Sequence, residues 1–179
     1  MLDPGKVRFR EMRLDDLPLL HRWLHSEFVM EWYSKKPSSY AEVAQKYAPR
    51  IAGREPTHCY FITYGDTPIG YIQTYRITDY PDYSNAVQVG EKAAGVDVFI
   101  ADPAYAHQGL GAHMLTRFLR EIVFGQSDAE CCIVGPEPRN EGAIRAYEKA
   151  GFTYLKTIRV PDEDEPEFLM RISRADVLV

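Results

Sequence analysis

The stretch AYAHQGLGAHMLTRFL (residues 104–119) places Gly109 and Gly111 at the start of a helical pattern. Apolar residues recur there at the spacing of a helix face and predict a helix over 108–124; they are Leu110, Met114, Leu115, Phe118 and Ile122. The first turn of a helix carries unpaired N–H groups and a partial positive charge. The two glycines therefore either let the backbone turn or allow an anion to approach those N–H groups. The stretch alone leaves both interpretations open.

Two common phosphate-binding motifs do not fit this stretch. A dinucleotide-binding loop needs G-x-G-x-x-G, and Met114 stands where the third glycine belongs. The nucleoside triphosphate loop G-x-x-x-x-G-K-[ST] occurs nowhere in the sequence. What remains is an apolar strand (95–102), a short loop and a glycine pair at a helix start, an arrangement that suits the binding of a phosphate group.

The order of the predicted elements defines the fold class. Helical periodicity predicts helices over 13–27, 40–51, 108–124 and 140–152. Alternation and short apolar runs predict strands over 7–12, 57–64, 68–78, 95–102, 131–136, 153–160 and 167–173. Residues 79–93 are expected to form a polar connection. The resulting order predicts an α/β (α+β) fold in a single domain spanning 1–179, with a mixed central sheet flanked by about four helices on both faces.

Composition restricts the partners of the chain. Its 179 residues carry a net charge of −5, which does not favour a nucleic-acid surface and suits a cationic small substrate. The charged N-terminus does not resemble a signal peptide, and no apolar run has the length of a membrane span. Cys59, Cys131 and Cys132 lie in apolar runs, so reduced and buried thiols are expected. We therefore expect a cytoplasmic protein with neither a nucleic-acid nor a membrane partner.

A second motif follows the glycine stretch, NEGAIRAYEKAGF (140–152). Asn140, Ala143, Ile144 and Tyr147 share one face of a predicted helix, with Asn140 suited to its N-cap. Taken by itself, this face is typical of a protein core, in which Tyr147 would be a packed aromatic residue.

The histidines do not complete a metal-binding motif. His21 and His25 are four residues apart, but HRWLH lacks the glutamate of H-E-x-x-H and has no evident third ligand. No metal site is predicted.

In combination, the two motifs resemble the GNAT acetyltransferase superfamily, which uses acetyl-CoA. The superfamily's pyrophosphate loop, [R/Q]-x-x-G-x-[G/A], falls on residues 106–111, with Ala106 in place of the usual Arg or Gln. The resemblance implies one GNAT-type domain with acetyl-CoA as cofactor. The residues implied in cofactor binding are Val98, Phe99, Ile100, His107, Gln108, Gly109, Leu110, Gly111, Ala112, Asn140, Ala143 and Tyr147.

Over nearly its whole length the chain looks like the aminoglycoside 6'-N-acetyltransferases. The similar segments are the W-L…E-W pattern between 23 and 32, PIGYIQTY (68–75) and GVD (95–97). Gly135 is a departure, because these enzymes can carry an aspartate at that strand end. The resemblance implies acetylation of the 6'-amine of an aminoglycoside by a monomer or homodimer. Acetylation of another amine (a polyamine, a siderophore precursor or a protein N-terminus) and a non-catalytic acyl-CoA-binding module are the alternatives.

Asp97 is the central candidate for catalysis. It shares a strand face with Phe99 and Ala101, where a carboxylate is costly unless partnered. An arginine, a histidine, backbone donors or a substrate ammonium could be that partner, and the resemblance favours the ammonium. It also implies that Tyr147 protonates the leaving thiolate and that transfer is direct, without an acyl-enzyme. The full set of candidate substrate-binding residues is Trp32, Tyr33, Gln73, Tyr75, Asp79, Asp82, Asp97 and Asp162.

Overall fold

A mixed seven-stranded sheet carries the fold in this computed structural model, which describes residues 2–161 and 163–178. The strands are β1 Val7–Glu11, β2 His58–Tyr64, β3 Thr67–Arg76, β4 Ala93–Ile100, β5 Cys131–Val134, β6 Thr153–Ile158 and β7 Glu167–Ser173. Their order in the sheet is β1-β2-β3-β4-β5-β7-β6. The β4–β5 pair is parallel, whereas β1–β2, β5–β7 and β6–β7 are antiparallel. The predicted mixed sheet is confirmed. Its seven strands follow one another along the chain as the sequence predicts.

Four helices of eight or more residues lie in the described part of the chain: α1 Leu17–Leu24, α3 Tyr40–Ile51, α5 Leu110–Phe118 and α6 Glu141–Lys149. They are the four that periodicity predicts. Shorter helices are α2 Glu27–Val29, α4 Pro81–Val87 and α7 Arg174–Val177. The chain also contains 3-10 turns at Pro4–Lys6, Leu14–Asp16 and Ile77–Asp79, and π-helical segments at Met30–Ser34 and Leu119–Val123.

One compact unit comprises the chain up to Gln73 together with Asp97–Gln108. Helix α3 begins here with a capping box, in which the Ser39 hydroxyl accepts from the Glu42 N–H and the Glu42 carboxylate accepts from the Ser39 N–H. Its apolar side is buried with α1, β2 and β3. The buried core of this unit consists of Met12, Leu17, Leu20, Leu24, Val29, Val43, Tyr47, Cys59, Phe61, Tyr71, Phe99 and Ala101.

The other compact unit comprises Thr74–Val96 and the chain from Gly109 onward. Strands β4 and β5 run parallel with Ala93 opposite Cys131, and helix α5 lies between them in the chain. A buried cluster includes Ile77, Val87, Ala93, Cys131, Ile133 and Leu169. Cys131 and Cys132 lie in this unit and Cys59 in the first. All three are buried thiols outside any disulfide, as expected from the sequence.

The expectation of a polar connection over 79–93 is wrong, because helix α4 occupies Pro81–Val87. Proline fits the first turn of a helix, where its missing N–H is not needed, and Asp82 complements the positive end of the helix dipole. Val87 is completely buried and fixes the helix to the core. The sequence does not predict this helix, because Val87 is its one fully buried residue and a single apolar position gives no helical period.

No helix in the described ranges is both long enough and apolar enough to cross a membrane.

Candidate active site

Asp97 is held by the side chain of Gln73. The Gln73 Nε2 donates a 2.7 Å hydrogen bond to the Asp97 Oδ2. Gln73 lies on β3 and Asp97 on β4. Gly70 lets these strands approach closely, because a Cβ at that position would lie 2.4 Å from the backbone oxygen of Phe99. The structural partner of the carboxylate is therefore a neutral amide, rather than an arginine, a histidine or a backbone N–H.

Gln73 is itself fixed by a second layer of polar side chains. Its Oε1 accepts a 3.0 Å hydrogen bond from the Arg50 Nη1 and lies 2.5 Å from the Tyr71 hydroxyl. A guanidinium group can only donate, so the amide oxygen must face Arg50 and the amide nitrogen must face Asp97. Arg50 also contacts Glu55 at 3.2 Å. The Glu55–Arg50–Gln73 series thereby sets the orientation of the Asp97 carboxylate.

The environment of Asp97 changes its protonation. Burial raises the pKa of its carboxyl above the ordinary value. The hydrogen bond from Gln73 and the positive charges of Arg50 and Lys46 lower the pKa and oppose that effect. A carboxylate with a raised pKa is a stronger proton acceptor than a solvated one, and it can also pair with an ammonium group. Both properties suit a group that binds and deprotonates an amine.

Aromatic rings pack around Phe99, which lies two residues after Asp97 on the same strand. The ring of Tyr33 lies 4.6 Å from that of Phe99, and Phe99 stacks on Tyr71 at 5.5 Å. Burial raises the pKa of Tyr33 well above its ordinary value and raises the pKa of Tyr47 to about 12. These phenols therefore remain neutral. Tyr47 belongs to the core, whereas Tyr33 is only partly buried and is the ring here that can meet a ligand. Trp32 is partly buried in the π-helical segment before Tyr33.

The two glycines at the start of α5 differ in their roles. Gly109 is the N-cap and has a left-handed backbone conformation, φ 81°, which other residues rarely adopt. Gly111 does not have a positive φ, and a Cβ there would make only an ordinary contact of 3.5 Å with Ala146. The fold thus favours glycine at 109 because of its backbone conformation, whereas at 111 it has room for a Cβ. Leu110 buries its side chain in the core and leaves only its backbone for a ligand.

The loop before α5 contains a second unusual backbone conformation. His107 is exposed and has a φ of 56°, a conformation that a non-glycine residue adopts at an energetic cost. Asp102 starts the loop by accepting a 2.9 Å hydrogen bond from the Ala104 N–H. Gln108 is exposed, whereas Ala106, at the position of the superfamily's Arg or Gln, is partly buried.

Helix α6 places Asn140 and Tyr147 in different settings. The Asn140 Oδ1 accepts a 3.1 Å hydrogen bond from the Ala143 N–H and so caps the helix, as its position in the sequence predicts. Tyr147 is 8% exposed and packs against Phe152 at 5.6 Å. The side chain of Tyr147 is therefore mostly buried, whereas Asn140 lies at the helix end and is partly exposed.

A tyrosine cluster lies near β3 and α4. The ring of Tyr75 lies 5.2 Å from that of Tyr80 and 6.4 Å from that of Tyr83. Gly95 makes room for Tyr75, because a Cβ at 95 would lie 2.4 Å from the ring. Asp79 and Asp82, from the same segment, are exposed. Val98 and Ile100 are partly buried on β4, and Asp162 lies outside the described residues.

The sequence reasoning missed two charged residues with specific contacts. Arg50 reaches Gln73 across 23 residues of sequence, and no local pattern indicates that contact. Glu167 belongs to the acidic segment 161–167, which looks like a solvated turn, yet it accepts a 2.8 Å hydrogen bond from the Tyr83 hydroxyl. The available signal was Gly135, whose missing side chain leaves space at a strand end.

The chain belongs to the GNAT acetyltransferase family, because the family model described as an acetyltransferase (GNAT) domain matches residues 13–160. The aminoglycoside N(6')-acetyltransferase type 1 of Klebsiella pneumoniae is 31% identical over 158 residues, covering 87% of this chain and 78% of the relative. The structure of AAC(6')-Ib in a complex that contains acetyl-CoA superposes with a TM-score of 0.84 at 30% identity, covering 95% of this chain and 94% of that chain. AAC(6')-Ib with coenzyme A and kanamycin gives 0.82 at 30% identity, covering 94% and 95%.

Proposed function

We propose that this protein is an acetyl-CoA-dependent N-acetyltransferase that acetylates the 6'-amine of an aminoglycoside, within a single domain. Its support is the carboxylate of Asp97, oriented by Gln73 among aromatic rings, in a chain related over most of its length to aminoglycoside N(6')-acetyltransferases. A partly buried carboxylate suits the ammonium group of a cationic sugar. Resistance to aminoglycosides such as kanamycin would follow in the host.

The start of α5 fits the cofactor. Its first-turn N–H groups and the open space at Gly109, where an added Cβ would meet no described residue beyond its chain neighbours within 4 Å, suit a pyrophosphate. Gly111, the second residue of the helix, presents no side chain in the same turn. Bound acetyl-CoA supplies the acetyl thioester, and the chain's own residues supply the proton transfers and the orientation of the amine.

Asp97 binds the acceptor's ammonium group and accepts its proton, directly or through water, so that a neutral amine is available for attack. Tyr147 donates a proton to the leaving sulfur, a reasonable match because a free thiol has a pKa of about 8.5 and a tyrosine about 10. Backbone N–H groups of Val98 or Phe99 polarise the thioester carbonyl. Transfer is direct in a ternary complex, because the cysteines are buried and burial raises the pKa of Cys59 and Cys131, which disfavours a thiolate nucleophile.

The free thiols also support a cytoplasmic location, since reduced cysteines are typical of that compartment.

Thiol release from acetyl-CoA tests the proposal against a panel of acceptors. The panel contains kanamycin, an aminoglycoside with a hydroxyl in place of the 6'-amine, spermidine, lysine derivatives and peptides. Turnover with kanamycin and loss of turnover with the 6'-hydroxyl acceptor support the assignment. Preference for a polyamine or a peptide contradicts the acceptor, and no thiol release with any amine contradicts the enzyme itself.

Asp97→Asn provides the matched test of the site. The asparagine keeps the size of the side chain but loses its charge and its capacity to accept the amine's proton. We expect turnover to fall by about 10²-fold or more, with acetyl-CoA binding unchanged. Undiminished turnover would remove Asp97 from the mechanism.

A further inference from the structure

Tyr71 lies two residues before Gln73 on β3, so the two side chains share one face of the strand. The Tyr71 side chain is completely buried. Its hydroxyl lies 2.5 Å from the Gln73 Oε1 and 3.0 Å from the Cys59 Sγ. Because the ring has no exposed surface, a bound acceptor cannot touch it. The hydroxyl can therefore influence a reaction at Asp97 only through a neighbour, and Gln73 is the neighbour that reaches Asp97.

The single proton of the Tyr71 hydroxyl is directed to Gln73. An amide oxygen is a stronger acceptor than a thiol sulfur, and the contact with the amide is the shorter of the two. Burial raises the pKa of Tyr71 well above its ordinary value and also raises the pKa of the Cys59 thiol. Both groups therefore keep their protons, and the Cys59 S–H is the donor to the Tyr71 oxygen.

The amide oxygen of Gln73 accepts two hydrogen bonds. The Tyr71 hydroxyl supplies one, and the Arg50 Nη1 supplies the other at 3.0 Å. An amide oxygen has two lone pairs, so these donors use its full capacity. Hydrogen bonds that share a group strengthen one another, which makes the Gln73 Nε2–H a better donor to Asp97. Arg50 also binds Glu55, whereas the Tyr71 hydroxyl gives its only proton to Gln73.

We propose that Tyr71 is a positioning residue of the acetyl transfer. Its hydroxyl fixes the Gln73 amide, and the amide holds the Asp97 carboxylate in the orientation that receives the acceptor's ammonium group. The inference rests on the proposed function, in which Asp97 binds and deprotonates the amine. The contacts that carry it lie within one compact unit and do not depend on the identity of the acceptor.

Carbon-13 NMR titration of the Asp97 carboxyl in the full chain tests this inference without requiring turnover. The resonance that is lost in Asp97→Asn assigns the signal. Tyr71→Phe keeps the buried ring and removes the proton donor. The hydrogen bond from Gln73 lowers the pKa of Asp97, so a weaker bond raises that pKa. We expect the titration of Asp97 to move to higher pH by about half a unit, which is about a threefold change in the ionisation constant.

A loss of charge does not explain such a shift. In the described part of the chain, the titratable groups that interact electrostatically with Asp97 lie on α3 and in the π-helical segment before it; they are Lys46, Tyr47, Arg50 and Tyr33. Tyr71→Phe leaves these groups in place and removes a neutral hydroxyl. A shift of the Asp97 titration would therefore report the lost hydrogen bond.

Two further variants separate positioning from a general effect on the core. Cys59→Ala removes the other neighbour of the Tyr71 hydroxyl and leaves the donor to Gln73, so the titration of Asp97 should match the wild type. In Gln73→Met the amide is absent, and adding Tyr71→Phe should cause no further shift. Thermal unfolding checks the fold of each variant. Equal shifts in Tyr71→Phe and Cys59→Ala would overturn the inference, as would an added shift in the double variant.

Steady-state kinetics distinguish this inference from the proposed function. In Tyr71→Phe the acid limb of kcat/KM for kanamycin should follow the NMR titration, and the KM for acetyl-CoA should stay within twofold. An unmoved Asp97 titration, or an acid limb that does not follow it, contradicts the inference even where the wild type acetylates kanamycin. If the wild type releases no thiol with any amine but Tyr71→Phe moves the titration, the positioning of Asp97 is upheld and the proposed function fails.

Discussion

The Gln73 amide donates a 2.7 Å hydrogen bond to the Asp97 carboxylate while its oxygen accepts one from Arg50. The amide thus links a fixed cation to the carboxylate without direct contact between the two charges. A direct guanidinium–carboxylate pair would hold the carboxylate strongly ionised and compete with an incoming ammonium. The amide orients Asp97 and leaves the neutralisation of its charge to the acceptor.

Arg50→Met should move the acid limb of the pH profile to higher pH. The positive charge of Arg50 lowers the pKa of Asp97, so its removal raises a pKa that burial has already raised. Asp97 must be ionised to bind and deprotonate the amine, and a higher pKa therefore requires a higher pH for activity. We expect a shift of about one pH unit in kcat/KM, equivalent to about 1.4 kcal/mol.

Lys46→Met is the matched comparison for this shift. Lys46 also lowers the pKa of Asp97, but less than Arg50 does. Gln73 keeps the Tyr71 hydroxyl as a partner in Arg50→Met, so the amide stays in place. The Lys46 variant should shift the limb in the same direction by a smaller amount, and an unmoved limb in Arg50→Met would show that the cation does not tune Asp97.

Tyr147→Phe should lower kcat by about 10²-fold, the usual contribution of a general acid. Phenylalanine keeps the ring that packs on Phe152, so the fold and the affinity for acetyl-CoA should change little. Steady-state kinetics with thiol detection separates the two effects, and thermal unfolding checks the fold. A change confined to the KM for acetyl-CoA would assign Tyr147 to cofactor binding instead of acid catalysis.

The helices and strands of this chain could be predicted from the periodicity of its sequence. Contacts between segments that are distant in sequence could not. Helix α3 carries its own capping box and apolar face, so its bounds of Tyr40–Ile51 agree with the sequence pattern. Asp97 is recognisable as a carboxylate in an apolar strand. Its partner is not, because the choice of Gln73 and Arg50 depends on how β3, β4 and α3 pack together. The contact of Glu167 with Tyr83 could not be predicted for the same reason, since the two residues are 84 positions apart in sequence.

Gly111→Ala should separate cofactor binding from stability. The fold accepts a Cβ at 111 with an ordinary contact, and alanine loses less backbone freedom on folding than glycine, so the free energy of unfolding should be unchanged or higher. The added methyl group should obstruct a pyrophosphate at the first turn. We expect about tenfold weaker binding of acetyl-CoA by calorimetry, an amount equal to about 1.4 kcal/mol.

Gly109→Ala, in the same loop, should change stability as well as cofactor binding. Its left-handed backbone conformation disfavours any L side chain, so this variant should lose about 1–2 kcal/mol of stability as well as cofactor affinity. Unchanged acetyl-CoA binding in Gly111→Ala would show that the two glycines serve the backbone alone.

Gly70→Ala should destabilise the protein by about 1–3 kcal/mol, the usual cost of overpacking. The added Cβ would meet the backbone of β4 at 2.4 Å from the Phe99 oxygen and 3.0 Å from the Ile100 Cα, and a backbone cannot move aside as a side chain tip can. Separation of β3 from β4 would also lengthen the Gln73–Asp97 hydrogen bond, so kcat should fall along with the midpoint of urea unfolding. Gly90→Ala is the control, because Gly90 is exposed and an added Cβ would meet no described residue beyond its chain neighbours within 4 Å. Equal unfolding midpoints for the two variants would contradict the role assigned to Gly70.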